Sequence, residues 1–268
     1  MIMIDIHSHI LPGLDDGAQL LEESLKMAEI AVKNGIDKMV ATPHLYRGDN
    51  PHNIIDNINT VRNNFVRTLK ENNIALEIYS GAEVHISHDL LTEIKEHKES
   101  LVINNGSYIM VEFPSDHIFA GVKQLFFDLM SEELIPIIAH PERNSIFRQS
   151  PELLFDLVQM GGLCQVNSGS FKGLYGTRAK EAAIEFIKSN FIHFVGSDCH
   201  NTGTSKPEIS VAVQAISAII GEDKAEALVK KNPKAVLDDK AITELPEPKN
   251  PRDRKKSFKI KLPSFLKW

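Results

Sequence analysis

Residues 2–9 read IMIDIHSH: a β-branched apolar run that ends in two histidines, followed by the loop ILPGLDDG at 10–17. The run suits a buried strand. The spacing of two between His7 and His9 puts both imidazoles on one side of the strand end, where they can share one ion. The pattern recurs along the chain. Further strands are expected at Lys38–Ala41, Leu76–Ser80, Tyr108–Phe113, Ile135–Ala139, Gly162–Val166 and Ile192–Gly196, after a first at Ile2–Ile6. Helical patterns fall between them, near 18–34, 53–72, 87–97, 118–132, 151–160, 176–189 and 207–230. In the first of these, Leu21, Leu25, Ala28 and Val32 recur at helical spacing, with Gly35 as the stop. Seven strand–helix units with near-continuous apolar strands predict an α/β fold with a parallel sheet or barrel covered on both faces.

The strand ends carry the chemistry. The second runs into His44, the third into Glu83, the fourth into Glu112, the fifth into AHPER with His140 and Arg143, and the seventh into GSDCH with Asp198 and His200. The sixth ends in QVNSGS. In parallel α/β folds functional residues gather at the carboxyl ends of strands. With Asp16 from the first loop, five imidazoles and four carboxylates exceed what one ion can use, and two or three divalent ions fit better. Left without cations, that many ligands in one cleft would repel one another. His52, His85, His88, His97, His117 and His193 read as core or surface residues, with His85 held in reserve because it follows Glu83 by two. Arg47, Arg178 and Lys206 read as surface residues that could add positive charge over the site.

The 268 residues carry 42% hydrophobic and 25% charged residues, ordinary for a globular chain. Two cysteines cannot build a disulfide framework, and the start offers no signal-peptide core before Asp5. Neither Cys164 nor Cys199 is followed six residues later by the arginine of thiol-based tyrosine phosphatases; Ser170 and Ser205 stand there. The net charge of −6 divides unevenly. From Pro246 to Trp268 eight Lys/Arg face two acids, which leaves +6 there and −12 in the rest. The expected division is a 1–245 barrel and a 246–268 tail, basic and interleaved with apolar residues. Such a tail is suited to an anionic membrane surface or a partner, or simply disordered or packed on its own body. An acidic body argues against nucleic acid as a partner.

HSHILPGLDDG, ATPH, GAEV, MVEFP, AHPERN and GSDCHN together resemble the PHP (polymerase and histidinol phosphatase) superfamily. Within it they resemble the bacterial manganese-dependent protein-tyrosine phosphatases of capsule and exopolysaccharide loci. The resemblance spans about residues 3–201. It implies a distorted (β/α)7 TIM-like barrel with the metal site at the C-terminal ends of the strands. It also implies a trinuclear Mn²⁺ centre (Fe or Zn being possible alternatives) held by His7, His9, Asp16, His44, Glu83, Glu112, His140, Asp198 and His200. Arg143 falls on the phosphate-contacting arginine. The implied reaction is phosphotyrosine hydrolysis by direct attack of a hydroxide bridging two ions, without a phospho-enzyme. The implied setting is cytoplasmic, at or near the inner face of the membrane, with a bacterial tyrosine kinase as partner. The competing expectations are a phosphoesterase for a small molecule such as histidinol phosphate, and a non-catalytic phosphotyrosine-binding regulator.

Overall fold

A computed structural model describes residues 3–46 and 51–253. Among the described residues nine strands form: β1 Met3–Ser8, β2 Ile36–Ala41, β3 His44–Leu45, β4 Glu77–Ser80, β5 Glu83–His85, β6 Tyr108–Glu112, β7 Ile135–Ala139, β8 Leu163–Asn167 and β9 Phe194–Gly196. All pair in parallel, in the orders β1-β2-β4 and β3-β5-β6-β7-β8-β9. The two sheets are one interrupted circuit. β2 and β3 are separated by Thr42 and Pro43, and proline has no N–H for a ladder. β4 and β5 are separated by Gly81 and Ala82. Glu83 N–H donates to the Pro43 carbonyl (3.1 Å), which carries the pairing across both gaps.

The circuit closes where β9 returns to β1. Asp198 N–H donates to the His7 carbonyl and His9 N–H to the Cys199 carbonyl, both at 3.0 Å. The seven expected strands are therefore present as seven positions around an α/β barrel, two of them broken. The breaks fall just before His44 and Glu83. β1, β6 and β8 are buried along their length. Alternation along them gives two apolar sets. One packs under the helices; the other, including Ile4, Ile6, Met110, Ile137 and Phe194, is closed by Val236 and Leu237.

Two helical expectations need correction, and one helix is added. The first helix runs Leu21–Lys33, but it buries Ser24, Met27, Ala28 and Ala31 and leaves Leu21 and Val32 exposed. Small side chains let it lie close on the sheet, so the apolar periodicity misjudged its inner face. The helix expected over 207–230 is two, Ser210–Ile220 and Glu222–Ala227, broken at Gly221 in the left-handed region (φ 90°). A further helix, Lys231–Leu237, tolerates Pro233 in its first turn, where N–H groups have no helical partner. Within 246–253, Lys249 N–H donates to the Ser189 carbonyl (2.9 Å) and Arg252 makes a two-point pair with Asp156 (2.8 and 2.9 Å). The apolar and lysine-rich stretch 254–268 lies outside the described residues, as does Arg47. No helix among the described residues is long and apolar enough to cross a membrane.

The seam between β8 and β9 depends on a neutral histidine. His193 Nδ1 accepts from Cys164 N–H (3.0 Å), and its carbonyl accepts from Asn232 Nδ2 (2.8 Å). Burial pushes this imidazole down to about 4. The unfolded chain then binds a proton that the folded chain refuses, so stability falls as pH drops from about 6.5 toward 4, by about 3 kcal/mol. Replacing His193 by Asn keeps an acceptor without the titration. Denaturant unfolding at pH 7.5 and pH 5 should show a shallower acid loss in His193→Asn than in the parent; equal losses would contradict the assignment.

Candidate metal centre

The barrel mouth collects every candidate ligand. β1 delivers His7 and, just beyond it, His9; β3 delivers His44, β5 Glu83, β6 Glu112, and the turns after β7 and β9 deliver His140, Asp198 and His200. Asp16 comes from the loop that folds back over His9, where Ala18 N–H donates to the His9 carbonyl (3.2 Å). Gly17 makes that fold possible: a Cβ there would lie 2.2 Å from the His9 carbonyl oxygen and 2.5 Å from its Cβ. His140 and Asp198 themselves adopt left-handed backbones (φ 30° and 51°), which cost non-glycine residues of order 1–3 kcal/mol each. Strain of that kind persists where the surroundings fix it and aims a side chain inward.

Glu83 sits at the centre. Its Oε2 is fully buried, makes no hydrogen bond among the described residues, and lies 3.0 Å from His44 Nδ1, 3.3 Å from His7 Nε2 and 3.4 Å from His9 Nε2. Its Oε1 meets His140 Nε2 at 2.8 Å. Three overlapping donor groups result: His7, His9, Glu83 and Asp198; His9, Asp16, His44 and His200; and His44, Glu83 and Glu112. His140 adjoins the third, 3.9 Å from Glu112 Oε1. Among all nine, only the side chain of Asp16 is mostly exposed.

The residues around them set the tautomers. Asp198 Oδ2 can only accept, so Asn167 Nδ2 faces it (2.6 Å). Asn167 Oδ1 then accepts from Gln165 Nε2 (2.9 Å), and Gln165 Oε1 is left for His7 Nδ1 (2.8 Å). Nδ1 is thereby held as a donor, and Nε2 is the nitrogen turned into the donor group. Asp15 does the same for His9 (2.7 Å) while taking the His44 N–H (3.0 Å), and the Asp198 carbonyl does it for His200 (3.0 Å). β8, which ends without a charged ligand, thus contributes an amide chain linking His7 to Asp198. Gln165, Asn167 and Asp15 were missed as site residues because amides carry no metal-ligand signature and the paired acids of DDG look alike.

Electrostatics favour cations here. Burial alone would push His7, His9 and His44 down, yet the carboxylates around them win: Glu83 and Asp198 hold His7 up, Asp15 holds His9 well up, and Asp16 and Glu83 raise His44 to about 9. Without metal, protons stand in for the missing positive charge. A buried carboxylate oxygen with three imidazole nitrogens within 3.0–3.4 Å offers the donor types that suit a divalent transition metal.

Arg143 lies at the rim. Its Nη1 pairs with Asp198 Oδ2 (2.8 Å), and its guanidinium lies over the Tyr175 ring, 4.6 Å from the centroid. Lys206 pairs with Glu208 (3.5 Å), and Arg178 lines a separate cleft. His85 Nδ1 is 3.7 Å from Glu112 Oε2, at the edge of the site, while His88 packs against Phe119. Cys164 and Cys199 are buried, and burial pushes the Cys199 thiol up to about 12, so neither offers a thiolate.

Residues 3–238 match the family model described as capsular polysaccharide synthesis, CpsB/CapC. The chain belongs to this family. The tyrosine-protein phosphatase YwqE of Bacillus subtilis is 36% identical over 259 residues, spanning 96% of this chain and 99% of that protein. The tyrosine-protein phosphatase CpsB of Streptococcus pneumoniae is 30% identical over 248 residues, spanning 90% and 100%. Among solved structures, a chain from those of YwqE and CpsB, described as unique metal-dependent tyrosine phosphatases, superposes with a TM-score of 0.85 at 34% identity, over 92% of this chain and 99% of that one.

Two outcomes test the metal reading. Because imidazole protons must leave, divalent ions should bind more tightly as pH rises toward about 9, and calorimetry at pH 7.5 in buffers of different ionisation enthalpy should show proton release; no release would refute it. Gln165→Leu should weaken metal binding about 10- to 100-fold in a direct metal titration, by freeing His7 to turn.

Proposed function

We propose that the protein is a metal-dependent protein-tyrosine phosphatase that hydrolyses phosphotyrosine directly, without a covalent enzyme intermediate. The observation that carries this is the convergence of nine metal-type donors at the barrel mouth, all but Asp16 buried or half-buried, with one arginine at the rim, in a family whose named relatives are tyrosine phosphatases. Manganese is the proposed metal, as three ions, with Fe or Zn accepted by the same donor types. His7, His9, Glu83 and Asp198 would hold one ion; Asp16, His44 and His200 a second, sharing His9; Glu83, Glu112 and His140 a third. The proposed substrate is a phosphotyrosine protein, a bacterial tyrosine kinase of capsule or exopolysaccharide synthesis, met in the cytoplasm. The domain reading that goes with this is a catalytic barrel to about residue 245 and a basic tail beyond it that meets the membrane or the kinase.

When bound, the ions supply positive charge for the phosphoryl oxygens and lower the pKa of water. The chain's own residues do the positioning. Arg143 uses one nitrogen on Asp198 and has the rest of its planar fork for non-bridging oxygens, while the Tyr175 ring supports the guanidinium, 4.6 Å from its centroid. Asp198, held by Asn167 and Arg143, keeps that fork beside the ligand groups. Tyrosine's hydroxyl has a pKa near 10, so tyrosinate leaves without a strong acid. Cysteine plays no part, since both thiols are protonated and buried.

Kinetics on a phosphotyrosyl peptide decide the matter. EDTA should abolish turnover and Mn²⁺ restore it, while thiol alkylation leaves it intact. Arg143→Ala should lower kcat/KM by about 10²–10³, and Arg143→Lys should recover little of it. A kcat/KM for histidinol phosphate far above that for the peptide would overturn the substrate assignment; peptide binding without any turnover would favour a regulator.

A further inference from the structure

A cleft of about 440 Å³ lies between the helix Ser145–Gln149, the start of Pro151–Gln159, and the helix Thr177–Lys188. Its floor is apolar, with Phe186 and Ala182 buried and Pro151 at one side. Arg148 and Arg178 both line it. Arg148 Nη1 is anchored on the carbonyls of Glu142 (3.0 Å) and Arg143 (2.5 Å). Its remaining nitrogens make no hydrogen bond among the described residues, and Arg178 makes neither a hydrogen bond nor an ion pair among them. The two guanidinium groups are close enough that burial and then Arg178 lower the Arg148 pKa. An anion between them would relieve that repulsion.

The cleft neighbours the rim of the metal site at two points. Arg148 is seated on the backbone of Arg143 itself. Tyr175, whose ring lies under the Arg143 guanidinium, leads within three residues to Arg178. Glu181 and Glu185 line the cleft farther along Arg178's helix, away from Tyr175, so its positive end is the end beside Arg143.

We infer that this cleft is a specificity subsite that takes an acidic side chain flanking the phosphotyrosine of a peptide substrate. The inference rests on the reading of the metal site as a phosphotyrosine phosphatase. A carboxylate placed between Arg148 and Arg178 gains charge-assisted hydrogen bonds from donors otherwise left to water. The aliphatic part of its side chain lies on Phe186 and Ala182. A basic residue at the same place meets two like charges, which gives rejection as well as attraction.

The test uses the full chain with Mn²⁺ and three phosphotyrosyl peptides that differ only in a flanking Glu, Ala or Lys. Both kcat/KM and calorimetric Kd are read for each. The parent should favour the Glu peptide over the Lys peptide by about tenfold in both. Arg178→Glu should erase or invert that ratio, and Arg178→Lys should keep most of it. Equal treatment of the three peptides by the parent, or an unchanged ratio in Arg178→Glu, would overturn the subsite while leaving the activity standing. Binding that follows the expected order without turnover would support the subsite and defeat the assigned activity instead.

Discussion

A carboxylate oxygen that no hydrogen bond among the described residues satisfies, Glu83 Oε2, is buried within 3.0–3.4 Å of nitrogens from His44, His7 and His9. A charge stripped of water is costly unless countercharge is close. Every other feature of the mouth follows from that demand. Imidazoles supply the countercharge as protons or present lone pairs to a cation, and which they do is a competition set by pH and metal. Because Glu83 belongs to two of the donor groups, the groups are coupled: filling one changes the field at the next.

Positioning donors to this tolerance takes more than strands. β1 brings His7 to the mouth, but its ring is oriented from the far side of the barrel closure by Gln165 and Asn167 on β8. Asp198 is held by the same chain, by Arg143 and by a backbone bond to His7. Ring closure and ligand orientation are therefore one structure. The buried Glu142 extends it: its Oε1 accepts from Asn167 N–H (2.9 Å) and Ser170 Oγ (2.6 Å), fixing the His140–Arg143 turn to the end of β8. Left-handed backbones at His140 and Asp198 are tolerable within such bracing.

The strand positions and the residues that gather at the mouth were legible because both leave strong local signals. An apolar run marks a buried parallel strand, and His, Asp and Glu at its carboxyl end stand out against it. What stayed hidden depends on partners distant in sequence. The interruptions before His44 and Glu83 arise from a missing N–H at Pro43 and close packing at Gly81, where a Cβ would lie 2.7 Å from Val40. The role of QVN rests on contacts with residues 158 positions and 31 positions away. The inner face of Leu21–Lys33 is chosen by how near the helix approaches the sheet, which small residues permit and a hydrophobicity pattern does not record.

Net charge illustrates the same difference between composition and place. A body of −12 would be expected to repel a phosphate dianion. Four of its acids, however, sit in the ligand set, where bound divalent cations would outweigh them. Arg143, Arg148 and Arg178 stand at the rim or in the adjoining cleft. Part of the opposing +6 is already committed: Lys249 Nζ caps the Lys188 carbonyl (2.6 Å) and Arg252 clamps Asp156. Fields in a low-dielectric cleft are set by the nearest charges rather than by the sum over the surface. An acidic protein can therefore present a locally positive site, and its distant carboxylates act mainly against large polyanions.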